Sequence, residues 1–261
     1  NANGGDPYQS AIARALGRVH AGGLGELATE VTTCIFCGMC NAVAPESQDN
    51  PWESAMPRGR VQLAKAVIEG RATITPRTQR NVAWTALEHA PDAICPTAIP
   101  IQRVTDLLLA AAVATNGALP EHLALAENVA KTGNVLGKPA DKRAAWVNVG
   151  FDAVSTTIFV ADDIASYDAP EIAQSAALAL LNAGYPVGHM GKADATSGAA
   201  LFETGQRAAA SAGVAPFLEA LAKKGAKFVV TPDANGARVM TLDWPGVGRE
   251  SGVGGKGGEM G

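Results

Sequence analysis

Apolar residues recur at intervals of three and four along much of the chain before residue 150, which is the spacing of amphipathic helices. The clearest helix is predicted from Ile101 to Thr115, where Asn116 and Gly117 supply a stop signal. Further helices, each begun by a proline, are predicted at Pro7–His20, Pro57–Gly70, Pro76–Glu88 and Pro120–Lys131. The first part of the chain is therefore predicted to be all α-helical.

The pattern changes near residue 150, where short β-branched and apolar runs begin to alternate with helical segments. Strands are predicted within STTIFVADD (155–163), at Tyr185–His189 and within AKFVVTPD (226–233). The helices between them are predicted at Pro170–Asn182 and Leu201–Lys224. This alternation predicts a small parallel sheet with helices on its faces.

The predicted fold class is α+β and multidomain: an α-helical domain followed by a small α/β domain with a short parallel sheet. We place the first domain at residues 1–150, the second at 151–245, and a glycine-rich tail at 246–261. The formal charge of −4 argues against a nucleic-acid partner, which would require a basic surface. The longest apolar run, Leu107–Ala114, is too short to span a membrane, and no export signal opens the chain. We therefore expect a cytoplasmic protein, held at the inner face of the membrane only if its partners hold it there.

The chain contains four cysteines, and three of them lie within seven residues. A bacterial ferredoxin run has the form C-x2-C-x2-C-x3-C-P. Cys34, Cys37 and Cys40 match its first three ligand positions, but the fourth position is Ala44, before Pro45. We call positions 34, 37, 40 and 44 the first frame.

Cys95 stands directly before Pro96, as the last cysteine of such a run does. Counting back from it gives Thr85, Glu88 and Pro91 at the other three positions, and we call positions 85, 88, 91 and 95 the second frame. In two-cluster ferredoxins the fourth cysteine of one run ligates the cluster of the other. On that rule the remaining cysteines form a complete ligand set for one cluster and leave no ligand for the other.

The sequence therefore predicts one [4Fe–4S] cluster bound by Cys34, Cys37, Cys40 and Cys95. Gly38 would permit the tight turn between the ligands. The apolar neighbours of the ligands are expected to keep water away from the cluster. These neighbours are Ile35, Phe36, Met39 and Ile94.

Two other uses of the cysteines remain open. A zinc ion bound by the same four thiolates is one alternative, although structural zinc sites usually combine two short C-x2-4-C pairs. A redox-active C-x-x-C pair is the other, but it would not require Cys40 or Cys95.

Three segments carry a resemblance to a known family. CIFCGMC (34–40), MPRGRVQLAKAVIEG (56–70) and ICPTAIPIQRVTDLL (94–108) resemble the ferredoxin-type domain of certain iron–sulfur subunits. These are the subunits of glycolate oxidase, lactate-utilisation and anaerobic glycerol-3-phosphate dehydrogenase complexes, together with heterodisulfide reductase D-type subunits. The segment 119–139, with Trp146, is similar to the helical linker of that family.

The second domain resembles the family's cysteine-rich domain in a degenerate form. TSGAALFETG (196–205) is similar to the region around its CCG motif, but Thr196 and Ser197 stand where cysteines would be. TPDANGARV (231–239) resembles a later cysteine-bearing segment, yet Asn235 stands there in place of a thiol. The resemblance thus implies a domain without a cluster of its own that serves structure and docking.

By this resemblance the chain is expected to be an electron-transfer subunit of a multi-subunit oxidoreductase complex. It would relay single electrons between a partner dehydrogenase and a quinone or another acceptor. The implied partners are a flavoprotein dehydrogenase or hydrogenase-type catalytic subunit, and further iron–sulfur subunits. The alternative is a non-redox assembly or scaffold subunit whose metal or cluster only stabilises the helical domain.

A few other residues are weaker candidates for chemistry. Asp162 and Asp163 follow a predicted strand and precede a helix, which is where small α/β domains bind ligands. Carboxylates at such a position are more often helix N-caps. His89 falls within the second frame, and an exposed helical position is its ordinary explanation. Arg58 and Arg60 are expected to form ion pairs with carboxylates.

Overall fold

The structure of the protein is a computed structural model that describes residues 23–49, 52–85 and 89–250. The predicted helix Pro7–His20, residue Glu88 and the tail beyond residue 250 lie outside the described residues. The chain forms two compact units. The first contains residues up to Pro120 together with Glu203–Gln206, and the second contains the remainder.

The first unit is built from helices around one apolar core. Its described α-helices are α1 (Ala28–Thr32), α2 (Met39–Val43), α3 (Pro57–Ile68), α4 (Pro76–Ala83), α5 (Ala90–Ile94) and α6 (Ile101–Asn116). Helix α6 is at the centre, because most of its residues from Ile101 to Ala112 are buried. The predicted helices at 57–70 and 101–115 are confirmed, with proline at the start of α3 and Gly117 directly after α6.

Three short helices of this unit, α1, α2 and α5, were not predicted. Helices α2 and α5 have five residues each, which is too short for an apolar period to be recognised. They pack against each other and so bring the two cysteine frames together. Helix α4 ends at Ala83, well before the predicted Glu88, and it begins with a capping box between Thr75 and Thr78.

The second unit contains a parallel sheet of three strands among its described residues, in the order β2-β1-β3. The strands are β1 (Thr157–Phe159), β2 (Gly188–His189) and β3 (Phe228–Val230). Ile158 and Phe159 belong to different apolar clusters, because successive side chains of a strand point to opposite faces. The predicted parallel sheet with helices on its faces is confirmed, although β2 is shorter than the predicted Tyr185–His189.

Helices cover this sheet. They are α7 (Leu123–Thr132), α8 (Asp163–Tyr167), α9 (Pro170–Asn182), α10 (Ala199–Glu203), α11 (Arg207–Lys224), α12 (Ala234–Leu242) and α13 (Trp244–Glu250). Helix α9 has the predicted bounds, whereas the predicted helix 201–224 is divided between α10 and α11. Residues 246–250, which we assigned to a glycine-rich tail, form part of α13, where Val247 is buried.

The division between the units falls between Pro120 and Glu121, not near residue 150. The reason is the packing of α7, which lies against α11 of the second unit. Gly213 in α11 has no side chain, and a Cβ there would lie 2.8 Å from Val129 of α7. Over the described stretches of the chain, no helix has both the length and the apolar character of a membrane span.

Candidate metal centre

The first three cysteines lie on a loop that enters α2. Gly38 has a φ of 77° and directly precedes α2, and its carbonyl accepts the N–H of Asn41 at 3.0 Å. Phe36 also has a positive φ, of 61°, which an L-residue rarely adopts. The loop therefore depends on one glycine and on one strained residue between the cysteines. Cys40, on the first turn of α2, is buried, whereas Cys37 is exposed.

Cys95 is presented by a second turn, directly after α5. The N–H of Ile99 points to Cys95 Sγ at 3.4 Å, and the hydroxyl of Thr97 lies 3.5 Å from the same sulfur. The N–H of Ala98 bonds the carbonyl of Cys95 at 3.0 Å, and Ala98 has a positive φ of 54°. This turn surrounds the Cys95 sulfur with polar hydrogens, as is typical of thiolates that bind a metal or cluster.

The two turns open onto one pocket. Its lining includes all four cysteines, from both frames, and Arg58 at the start of α3. Helices α2 and α5 bring the two turns together by packing against each other. The structure therefore gathers the four predicted site residues around one space, and their ligation of a metal or cluster stays a prediction.

The grouping of the four thiols bears on whether they could bind a single zinc ion. Around a single tetrahedral zinc ion, with zinc–sulfur bonds of about 2.3 Å, neighbouring sulfurs lie about 3.8 Å apart. Among the described residues, no three histidine, cysteine, aspartate or glutamate side chains are grouped so that they could hold one metal ion. The four cysteines thus share a pocket without forming a ready-made site for one ion.

The acidity of two thiols differs because their surroundings differ. Burial is the main cause of the raised pKa of Cys40, and the neighbouring Cys34 and Cys37 raise it further. Burial also acts to raise the pKa of Cys95, but the hydrogen bonds from Thr97 and from the turn N–H groups outweigh it. The pKa of Cys95 is therefore lower than that of an ordinary thiol. The Cys95 turn favours the thiolate, which is the form that binds iron or zinc.

A polar network braces the first turn. The guanidinium of Arg58 makes a forked ion pair with Glu53, with distances of 2.6 Å from Nε and 3.0 Å from Nη2. Arg58 Nη1 donates to the carbonyl of Phe36 at 3.2 Å. Asn41 accepts the backbone N–H of Arg58 and donates to Glu53. The ion pair predicted for Arg58 is present, whereas Glu53 and Asn41 were not predicted to belong to the site.

No periodicity identifies Glu53 or Asn41. The signal that could have found Glu53 is its spacing from Arg58, because acidic and basic residues five apart can meet where a chain turns into a helix. The polar position after the third cysteine could similarly have suggested that Asn41 caps or braces the turn.

The apolar neighbours of the cysteines do not shield the pocket. Ile35 is 63% exposed and Phe36 57% exposed, and Met39 and Ile94 are exposed at 43% and 38%. The expectation that these side chains keep water away is therefore wrong for the chain by itself. They form an exposed apolar rim beside the cysteines, and Ile35 also lines the pocket.

A buried arginine contacts the first position of the second frame. Arg60, which is 2% exposed, forms a buried ion pair with Glu46 and donates to the hydroxyl of Thr85 at 2.9 Å. Thr85 is the first position of the second frame, and Ala44, two residues before Glu46, is the last position of the first. The Arg60 guanidinium also donates to the carbonyl of Ala55. The ion pair predicted for Arg60 is present, and its guanidinium lies against Thr85.

The remaining candidates have structural roles. Asp162 caps α8 by accepting the N–H of Ala165 at 2.7 Å, and Asp163 is buried against Arg143 at 2.5 Å. Burial raises the pKa of Asp162, and Asp233 and Asp163 add to that effect. His89 lies at the start of α5 and pairs with Asp92 at 2.8 Å. Asp92 in turn accepts the N–H of Gln102 at the start of α6.

Thr196, Ser197 and Asn235, which the resemblance aligned with cysteines, are part of the structure of the second unit. Thr196 and Ser197 are buried, and each accepts a backbone N–H two residues further along. Trp244 donates its indole N–H to the carbonyl of Ser197 at 3.0 Å. Asn235 lies in the first turn of α12, where its N–H bonds the capping carboxylate of Asp233.

Comparison of the chain with protein-family models, with curated proteins and with solved structures found no match in any of the three.

Proposed function

We propose that this chain is an electron-transfer subunit of a multi-subunit oxidoreductase complex, with one [4Fe–4S] cluster held by Cys34, Cys37, Cys40 and Cys95. The observation that carries the proposal is the shared pocket, which is lined by a closely spaced triple of cysteines and by a distant fourth. When bound, such a cluster takes up and releases one electron at a time. It would accept the electron from a partner dehydrogenase and pass it to a quinone or another acceptor.

The residues of the pocket have separate parts in this function. The loop that contains Gly38 presents three sulfurs, while the turn directly after α5 presents the fourth. The N–H of Ile99 and the hydroxyl of Thr97 stabilise negative charge on Cys95. The open rim leaves a route by which a redox partner could approach the pocket closely.

The metal content distinguishes an electron-transfer subunit from a scaffold subunit. The chain is purified without air, its iron and zinc are measured, and the dithionite-reduced sample is examined by EPR. About four irons per chain and a single cubane-type signal are expected. About one zinc and no iron would instead favour a scaffold subunit stabilised by metal. About eight irons would mean that the chain binds a second cluster, for which the proposed ligand set does not provide.

A pair of variants tests the ligands. Cys95→Ser is expected to lose most of the bound iron, because the cluster would keep only three thiolates. Thr85→Ser is the matched control, since it changes a position of the second frame but keeps the hydroxyl that contacts Arg60. Full iron in Cys95→Ser would contradict the proposed ligand set. Reversible reduction without unfolding would favour electron transfer over a purely structural metal.

A further inference from the structure

The pocket has one charged side chain in its wall. Among the described residues that line it, only Arg58 is an arginine, lysine, histidine, aspartate or glutamate. Arg58 is partly exposed, and its pKa is raised, chiefly by Glu53 and in smaller part by Cys40 and Cys34. Its guanidinium therefore lies within electrostatic reach of two of the cysteines.

We propose that Arg58 is a positioning residue of the cluster site, which holds the Phe36 turn in its ligating form and raises the reduction potential of the bound cluster. This inference rests on the proposed function. It concerns a residue that is not a ligand and that acts through the loop and through its charge.

The positioning part follows from hydrogen bonds. Glu53 orients the guanidinium with two of its nitrogens, which leaves Nη1 free to donate to the carbonyl of Phe36 at 3.2 Å. Phe36 is the residue with the positive φ between Cys34 and Cys37. A strained turn persists only where its surroundings hold it. Arg58 supplies such a constraint, and Asn41 fixes the start of α3 from the other side.

Gly38 adds a second, independent sign that the turn is built around this arginine. A Cβ at Gly38 would lie 3.0 Å from Arg58 Nη1, which is tighter than ordinary contact. Gly38 is favoured by its φ of 77°, and a side chain there would have to displace the end of the Arg58 side chain slightly. The loop at Gly38 and the Arg58 side chain therefore pack closely against each other.

The electrostatic part follows from charge. Four thiolates give a bound cluster a net negative charge, and reduction adds one more negative charge. A cation in the pocket wall stabilises the reduced form more than the oxidised form, and so raises the potential. Because Arg58 is partly exposed, salt screens this effect. The shift caused by removing the charge should therefore shrink as ionic strength rises.

The test uses the full-length, cluster-containing chain and two readouts other than activity: the midpoint potential from an EPR-monitored redox titration, and the rate of iron loss to a chelator. Arg58→Gln is expected to lower the potential and to speed iron loss. Arg58→Lys is expected to keep the potential near that of the wild type, because the charge remains. It should still lose iron faster, because an ammonium cannot make the same fork.

Two further variants separate a specific effect of Arg58 from the loss of any surface arginine and from poor folding. Arg71→Gln, the matched control, removes an arginine from an exposed ion pair of the same unit and should change neither readout. Glu53→Gln keeps the Arg58 charge but releases its orientation, and should speed iron loss even if Arg58→Gln folds poorly. A potential and a rate of iron loss in Arg58→Gln that equal those of Arg71→Gln would overturn the inference. Absence of a cluster from the wild type would instead overturn the proposed function.

Discussion

The four cysteines line one pocket, whereas the buried ion pair of Arg60 and Glu46 lies beside Thr85. Both regions receive an arginine from the same turn of α3, Arg58 for the pocket and Arg60 for the ion pair. Residues two apart on a helix point to nearly opposite sides, so one short segment serves both regions. The comparison teaches that one short helical segment can brace a thiol-lined pocket with one arginine and fill the protein interior with another.

The two arginines are expected to differ in their contribution to stability. Arg58 is partly exposed, and its ion pair is of the kind that contributes about 0–1 kcal/mol. Arg60 and Glu46 are buried, and the second carboxylate oxygen of Glu46 has no hydrogen-bond partner among the described residues. Removing one member of such a pair leaves an uncompensated buried charge.

The largest expected effect is therefore that of Arg60→Met, which should lower the free energy of unfolding by about 3–5 kcal/mol. The loss arises because Glu46 stays buried without its partner. Urea unfolding of the metal-free protein measures it. The double variant Arg60→Met, Glu46→Leu is expected to recover much of the stability, because the charge is then absent from both sides. A double variant as unstable as the single one would show that the space requires a polar network.

Gly59, between the two arginines, should be nearly as sensitive. A Cβ at this position would lie 1.7 Å from the carbonyl oxygen of Glu53, so the backbone must move. Gly59→Ala is expected to lower stability by about 3 kcal/mol and to disturb both arginines together. Gly246→Ala is the control, since nothing lies within 4 Å of a Cβ there. Thermal unfolding that is equal in the two variants would contradict the close packing at Gly59.

Thr85→Val tests a single hydrogen bond of the buried Arg60. The substitution removes the hydroxyl that accepts from Arg60 at 2.9 Å but keeps the shape of the side chain. We expect a loss of about 1 kcal/mol, because the other acceptors of the guanidinium remain. Urea unfolding gives the value. A loss as large as that of Arg60→Met would mean that Thr85, and not Glu46, is the main partner of the arginine.

Arg58→Met should have a small effect on stability, about 0–1 kcal/mol, measured by urea unfolding of the metal-free protein. Together with Arg60→Met it forms the direct comparison of the two regions. The same change should affect iron retention much more than stability, because the Phe36 turn loses its hydrogen bond. If the metal-free variant were as unstable as Arg60→Met, the two regions would not differ in the way described.

The smallest expected effect on stability concerns Asp162 in the second unit, a carboxylate whose pKa is raised by burial. Ionised Asp162 makes an unfavourable contribution to folding above its folded-state pKa. Asp162→Asn keeps an N-cap and removes that contribution. The variant should gain a little stability at neutral pH, and the gain should disappear as the pH falls below the ordinary value of 3.8. Unfolding curves across this range measure it, and a gain that grows at low pH would contradict the assignment.

The sequence predicted the parts of the structure that local patterns determine. The bounds of α9 and α6 follow from apolar spacing and from proline and glycine signals at their ends. The frame argument also selected Cys95, which the fold does place in the same pocket as the first three cysteines.

The remaining features depend on contacts that no local pattern encodes. The burial of Glu46 and Arg60 becomes visible only when 3-10 and helical turns distant in sequence meet around them. The position of the division between the units depends on α7, whose apolar face could have packed on either side. The exposure of Ile35 and Phe36 and the positive φ at Phe36 and Gly38 are features of a tight loop that spacing alone does not reveal.

The exposure of Cys37 has a consequence for how the protein must be kept. A thiol at the surface is open to peroxide and dioxygen, whereas the buried Cys40 of the same loop is less accessible to them. Oxidation of the metal-free protein is therefore expected to begin at Cys37, and a reducing buffer should prevent it.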